Sequence, residues 1–248
     1  MRRFPAKIDT YYEPFIGSGA VFLGLAEDDV RRPKASYLSD ANAELMGFYS
    51  VLCNQHEELL AELRKLKYTN TSEAYYALRD SKPTDAVEAA ARFIYLNKHG
   101  FNGLYRVNAK GIFNVPFGSY KRVSTMPRER SQVVADLFRQ AYIKSARFDD
   151  VDYQVTRNTV VYFDPPYLGN FDQYTPEGFS REDHERLAAL AFKLKRAGAH
   201  VFISASDTPE SREVYGAFEC VQLTARRSIS AHSAVRGAKV ELFYTVLR

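Results

Sequence analysis

The chain has 248 residues, 46% of them hydrophobic and 26% charged, enough to bury the core of one large α/β domain or of a catalytic domain with a modest insertion. Seventeen Tyr and seventeen Phe beside only ten Pro and thirteen Gly exclude the aromatic-poor profile of a disordered chain. The start Met1-Arg2-Arg3-Phe4-Pro5 lacks the apolar run of a signal peptide, and stretches such as Ala20 to Ala26 are too short to cross a bilayer, so a soluble, cytoplasmic, monomeric protein is expected. Cys53 and Cys220 stand alone, without CxxC or Cys/His spacing, and are expected to be two buried, inert thiols with no disulfide framework and no metal.

Thr10-Tyr11-Tyr12-Glu13 is a short β-prone run, Phe15 to Gly19 a glycine-punctuated turn, and Ala20 to Glu27 the start of a helix. In that order the glycines let the backbone approach a ligand closely, although an FxGxG pattern fits an empty βα turn equally well. A second strand, Ala35 to Leu38, ends at Ser39-Asp40, which puts Asp40 where α/β nucleotide sites keep an acid for ribose hydroxyls. The loop is not GxGxxG, and Phe15 stands in place of a glycine. This points away from a dinucleotide and towards a nucleoside-bearing ligand such as S-adenosylmethionine.

Asn42 to Gln55 carries helical spacing through Leu45, Phe48, Tyr49 and Leu52, and from Glu57 to about Lys98 the pattern stays helical with no strand between. This predicts a helical insert over 55–140 that splits a catalytic domain into 1–54 and 141–248. Within the insert, Asn-Gly at 102–103 and Ala-Lys-Gly at 109–111, flanked by Leu104/Arg106 and Phe113/Val115, predict a β-hairpin over about 101–120 that turns near Lys110-Gly111. Lys98, Arg106, Lys110, Lys121, Arg122 and Arg128 fall in a stretch with no Asp or Glu, interleaved with Phe101, Tyr105, Phe113, Phe117 and Tyr120. Charge for phosphates and rings for bases suit a polyanion, and a solvated basic loop has the same composition. His99, beside the insert, is assigned a structural role.

After a helix around Arg130 to Gln140, strands are expected at Tyr142 to Ser145, Val160 to Phe163, Val201 to Ser204, Val221 to Ala225 and Val240 to Val246, with helices at Arg181 to Arg196 and Pro209 to Tyr215. The sum is a doubly wound α/β sheet with an insert. Asp164-Pro165-Pro166-Tyr167 follows the apolar run Val160 to Phe163, at the strand end where open α/β sheets bind ligands. The prolines stiffen the loop and remove donors, which leaves carbonyl acceptors beside a carboxylate and a ring. Such a site suits an exocyclic amine: Asp164 and the Pro165 carbonyl accept its two N–H groups, and Tyr167 stacks on a base flipped from its helix. The tetrapeptide alone also reads as an acidic cap and a proline turn. No cysteine follows a proline, so C5 methylation of cytosine lacks its nucleophile.

Four segments taken together, Tyr-Glu-Pro-Phe-Ile-Gly-Ser-Gly-Ala-Val-Phe-Leu (12–23), Asn-Gly-Leu-Tyr-Arg-Val-Asn (102–108), Gly-Ile-Phe-Asn-Val-Pro-Phe-Gly (111–118) and Asp-Pro-Pro-Tyr (164–167), resemble the Dam-type, D12-class N6-adenine DNA methyltransferases of the alpha group. The resemblance extends through the Phe171/Tyr174 loop to Ser228-Ile229-Ser230. It implies a Rossmann-like, S-adenosylmethionine-dependent methyltransferase fold with a mainly helical DNA-recognition insert carrying a hairpin. It also implies a nucleoid-associated enzyme of bacterial or phage kind that methylates adenine N6 in duplex GATC by base flipping and direct attack. S-adenosylhomocysteine would be the product, and no metal would be needed.

By the same resemblance Glu13, Phe15, Gly17, Gly19, Asp40 and Asp164 bind the cofactor, Phe148 either lines the cofactor's adenine or is a core phenylalanine, and Asp164, Pro165, Pro166 and Tyr167 are catalytic. Arg106 reads a guanine edge with Asn102 and Asn114 beside it, Leu104 and Pro116 touch base methyls, and Phe101 takes the intercalating position. Tyr120 and Lys121 contact phosphates, and Arg226, Arg227, Arg236 and Lys239 either supply a second basic edge or are ordinary solvated surface charges. One departure stands out: the family's upstream segment resembling Lys-Trp-Ala-Gly-Gly-Lys has no counterpart in the twelve residues before Glu13. This implies a truncated chain or a weaker cofactor grip, and it leaves open the alternative of a catalytically impaired DNA-binding relative.

Overall fold

In a computed structural model, which describes residues 3–66, 70–124, 126–168, 178–226 and 238–245, seven strands form one sheet. They are β1 (Thr10–Glu13), β2 (Ala35–Asp40), β3 (Tyr142–Ser145), β4 (Thr159–Phe163), β5 (His200–Ser206), β6 (Glu219–Arg226) and β7 (Ala238–Thr245), in the order β3-β2-β1-β4-β5-β7-β6. The pairings from β3 through β5 are parallel, and β7 runs antiparallel between β5 and β6. Every residue of β4 is buried, as expected of a central parallel strand covered on both faces. The chain winds outward in one direction from β1 and in the other from β4, so the sheet has its switch point between these two neighbours. Glu13 ends β1, Asp40 ends β2 and Asp164 follows β4, which brings three carboxylates to one edge of the sheet.

The helices are α1 (Ala20–Ala26), α2 (Ala43–Asn54), α3 (His56–Leu66), α4 (Ser72–Asp80), α5 (Ala86–His99), α6 (Arg128–Phe138), α7 (Arg181–Arg196) and α8 (Pro209–Tyr215). Several begin at side-chain caps: Asn42 accepts from Leu45 N–H, Asp85 from Val87 and Glu88, and Ser180 forms a reciprocal capping box with Asp183. One core cluster runs from Tyr11, Leu38 and Phe202 of the sheet through Phe22, Tyr49 and Leu52 to Leu59, Ala91 and Phe138 of the neighbouring helices. A second, containing Val161, Phe163, Ile203, Leu187 and Tyr215, packs α7 and α8 on the sheet. A third joins Tyr75, Tyr95 and Leu96 to Phe113 and Val115, and the Tyr75 hydroxyl donates to the Val115 carbonyl at 2.9 Å. This small core anchors the 101–120 segment to α4 and α5.

That segment differs from the expected hairpin. The chain does reverse at Asn108 to Gly111, where Gly111 N–H donates to the Asn108 carbonyl at 2.8 Å. The arms, however, form no continuous ladder: they pair at two isolated bridges, Gly100 with Phe117 and Val107 with Phe113, with single hydrogen bonds such as Asn114 N–H to the Arg106 carbonyl between them. Pro116 has no N–H to give a ladder, and Phe101–Gly103 forms a turn of 3-10 helix with Asn102 in the left-handed region at φ 55°. A second correction concerns Cys220: Cys53 is buried, but Cys220 is exposed because β6 is an edge strand of the sheet. Phe171, Tyr174, Arg227, Ser228, Ile229, Ser230 and Arg236 lie outside the described residues.

Candidate active site at the carboxyl edge of the sheet

The loop from β1 to α1 is tied down from three sides. Ile16 N–H donates to the Ser39 carbonyl at 3.0 Å, the Tyr49 hydroxyl to the Gly17 carbonyl at 2.8 Å, and Gly17 N–H to Asp40 Oδ2 at 3.1 Å. Gly17 and Gly19 adopt φ of 47° and 72°, which a side chain disfavours. A Cβ on Gly19 would come within 2.7 Å of the Phe138 ring, whereas one on Gly17 would meet nothing within 4 Å. The loop is therefore packed tightly at Gly19 and open at Gly17, leaving room for a ligand to approach the backbone. Phe15 stacks at 5.6 Å on Phe148, and Phe179 meets it edge-on at 5.5 Å. Phe148 itself is only 2% exposed and lies in the core beneath Phe15.

Two carboxylates flank the loop without an ion-pair partner among the described residues. Burial raises Asp40 above the ordinary aspartate range, although the N–H groups of Asn42 and Gly17 pull it back. Glu13 is 2% exposed and accepts from the Tyr11 hydroxyl at 2.8 Å. Burial first, and then the charge of Asp164, pushes Glu13 up to about 8. These acidic, aromatic and glycine-rich surroundings at the strand ends offer the acceptors and the open backbone at Gly17 that a cationic nucleoside requires, so the residues present fit S-adenosylmethionine.

Asp164 emerges exposed at the end of β4 while Pro165 is buried. Ser204 Oγ donates to Asp164 Oδ1, and the Tyr162 hydroxyl donates to Ser204 Oγ at 3.2 Å. His184 sits against the Pro166 backbone with Nδ1 2.6 Å from the Tyr215 hydroxyl, and burial lowers it to about 4, so it is neutral. Ser204, Tyr162, Tyr49 and His184 were not singled out by sequence. Of the four, Ser204 gave a signal, as a polar residue inside an apolar strand.

In the 101–120 segment, Arg106 donates through Nε to Asn114 Oδ1 at 2.6 Å and through Nη2 to the Asn114 carbonyl at 3.0 Å. One edge of the guanidinium is thereby braced, and Nη1 makes no hydrogen bond among the described residues. Phe101 is 42% exposed, Pro116 and Lys121 are exposed, and Leu104 packs part-buried on the small third core. The Tyr120 hydroxyl accepts from Asn102 N–H at 2.7 Å, so this tyrosine holds the Phe101–Gly103 turn. His99 is buried, stacks on Tyr95 with ring centroids 3.8 Å apart and shares a hydrogen bond with its carbonyl, which is a structural role.

The raised Glu13 has a consequence for stability. Its neutral form favours the fold at low pH, and that contribution is lost as pH rises from the ordinary glutamate value towards 8. Glu13→Gln keeps an acceptor for Tyr11 and removes the titration. Without ligand it is expected to melt like the parent at about pH 5 and roughly 5 °C higher at about pH 9. Equal melting at both values would contradict the assignment.

Residues 1–229 match the model of the D12 class N6 adenine-specific DNA methyltransferases. The type II methyltransferase M1.LlaDCHI of Lactococcus lactis subsp. cremoris is 35% identical over 97% of this chain and 87% of its own length. The DNA adenine methylase of Vibrio cholerae serotype O1 (strain ATCC 39541 / Classical Ogawa 395 / O395) is 34% identical over 93% and 84% respectively, and that of Escherichia coli (strain K12) is 34% identical over 98% and 88%. Among solved structures, the rRNA methyltransferase aviRa from Streptomyces viridochromogenes aligns with a TM-score of 0.39 at 18% identity, covering 99% of this chain and 79% of that one. With the family model covering most of its length, the chain belongs to the D12 class of N6 adenine-specific DNA methyltransferases.

Proposed function

We propose that the protein methylates adenine N6 within duplex GATC, using S-adenosylmethionine and a base flipped out of the helix. The observation that carries this reading is the meeting of Glu13, Asp40 and the Asp164 loop at the switch point between β1 and β4. When bound, the cofactor supplies an electrophilic methyl group on a sulfonium. Asp40 takes the ribose hydroxyls, the loop at Gly17 lets the backbone come close, and Phe15, backed by Phe148, flanks the nucleoside. Glu13, mostly protonated near neutral pH, can give up its proton when positive charge enters the site. Asp164 and the Pro165 carbonyl accept the two N–H groups of the adenine amine, which favours a pyramidal nitrogen with its lone pair available for attack. Pro165 and Pro166 hold those acceptors still, and Tyr167 stacks on the extruded ring.

Residues 55–140 serve as the recognition insert. Arg106, braced by Asn114, reads guanine O6 and N7, Leu104 and Pro116 meet thymine methyls, and Phe101 fills the space left by the flipped base. Lys121 positions the duplex by its phosphates, and Tyr120 fixes the Asn102 turn.

Transfer from labelled S-adenosylmethionine to duplex oligonucleotides tests this reading directly. Label in N6-methyladenine is expected with GATC and not with a scrambled site; no transfer with DNA binding intact would mark a catalytically impaired relative. In the same assay Arg106→Ala is expected to lose about 1–3 kcal/mol of discrimination at the guanine. Asn114→Ala should lose part of that discrimination while binding to scrambled DNA stays unchanged. A uniform loss on all sequences would make Arg106 a phosphate contact.

A further inference from the structure

Ser204 is an anomaly in its strand. Val201, Phe202, Ile203 and Ala205 are apolar and buried, and Ser204 among them is 6% exposed. A buried hydroxyl in such a place costs stability unless it is hydrogen-bonded. The β4–β5 register pairs Phe163 with Ile203, which sets Ser204 level with Asp164, the first residue beyond β4. Ser204 Oγ donates to Asp164 Oδ1 and lies 3.4 Å from the Phe163 carbonyl. From behind, the buried Tyr162 hydroxyl donates to Ser204 Oγ at 3.2 Å. A serine hydroxyl has one proton; because Tyr162 donates to its oxygen, that proton is directed forward to the carboxylate. Burial and the charge of Asp164 hold Tyr162 well above the ordinary tyrosine range, so it remains a donor throughout the working pH.

We propose that Ser204, oriented by Tyr162, is a positioning residue that fixes the Asp164 carboxylate by Oδ1 so that Oδ2 is presented to the substrate amine. The proposal rests on the reading that Asp164 receives the adenine N6 amine. Besides this donor, titratable groups coupled to Asp164 among the described residues include Glu13 and Tyr11 from β1 and Tyr162 from β4, and Tyr167 in the loop acts on Tyr162. These groups stay in place when Ser204 is truncated. Loss of the serine proton then has two consequences: the carboxylate can rotate, and its charged form loses a hydrogen bond.

The test compares the parent with Ser204→Ala, Tyr162→Phe and Asp164→Asn. It measures kcat and KM for methyl transfer to a GATC duplex across pH, alongside affinities for DNA and for S-adenosylmethionine. Ser204→Ala is expected to lower kcat about 10- to 100-fold with both affinities nearly unchanged. The acid limb of its kcat profile should move up by roughly one pH unit, and Tyr162→Phe should act in the same direction but less. A parental kcat in Ser204→Ala, or a loss equal at every pH, would overturn the proposal while inactivity of Asp164→Asn left the underlying reading standing. Parental activity in Asp164→Asn would overturn both.

Discussion

The burial of β4 between β1 and β5 is the constraint on which the active edge depends. A strand covered on both faces must be apolar along its length, and Val160 to Phe163 are. Polarity can return only where the strand leaves the sheet, and the first residue there is Asp164. The two prolines that follow have no N–H with which to extend the ladder, so the chain ends its pairing at an exposed carboxylate. Because β1 lies beside β4 and β2 beside β1, the same edge also receives Glu13 and Asp40.

The second determinant is electrostatic. Glu13 and Asp40 are drawn out of water without a compensating cation among the described residues, which costs stability in the absence of ligand and favours a positively charged one. The surroundings are rigid: Tyr49 and Asp40 pin Gly17 from opposite sides, and Phe138 leaves no room for a side chain at Gly19. The loop is thus shaped before anything binds to it, which lowers the ordering cost of binding.

Much of this was legible in the sequence because it obeys local rules. Apolar runs bounded by Gly, Pro and Asp marked the strands, and β3, α7 and α8 begin and end where periodicity and capping residues place them. The three acids were legible as strand-terminal residues. The hairpin was half legible: Asn108 to Gly111 turns as expected, but a side-chain bridge from Arg106 to Asn114 and a proline replace the regular ladder. Tyr162, Ser204 and Tyr49 were hidden for a different reason. Their roles depend on register between strands or on a helix crossing a loop 32 residues away, so even the polar Ser204 in its apolar run marks a position without naming its partner. Cys220 was misjudged because burial of a small residue depends on which strand ends at the sheet's edge, and that is a property of topology.

On this reading the strand ends at Asp40 and Glu13 hold the cofactor. Calorimetric titration with S-adenosylmethionine, of the parent and of Asp40→Ala checked for folding by thermal melting, addresses it most directly. One-to-one binding to the parent, weakened about tenfold or more in the variant, is the result this account predicts. Absence of binding to the folded parent, or equal affinity in the two proteins, would contradict it.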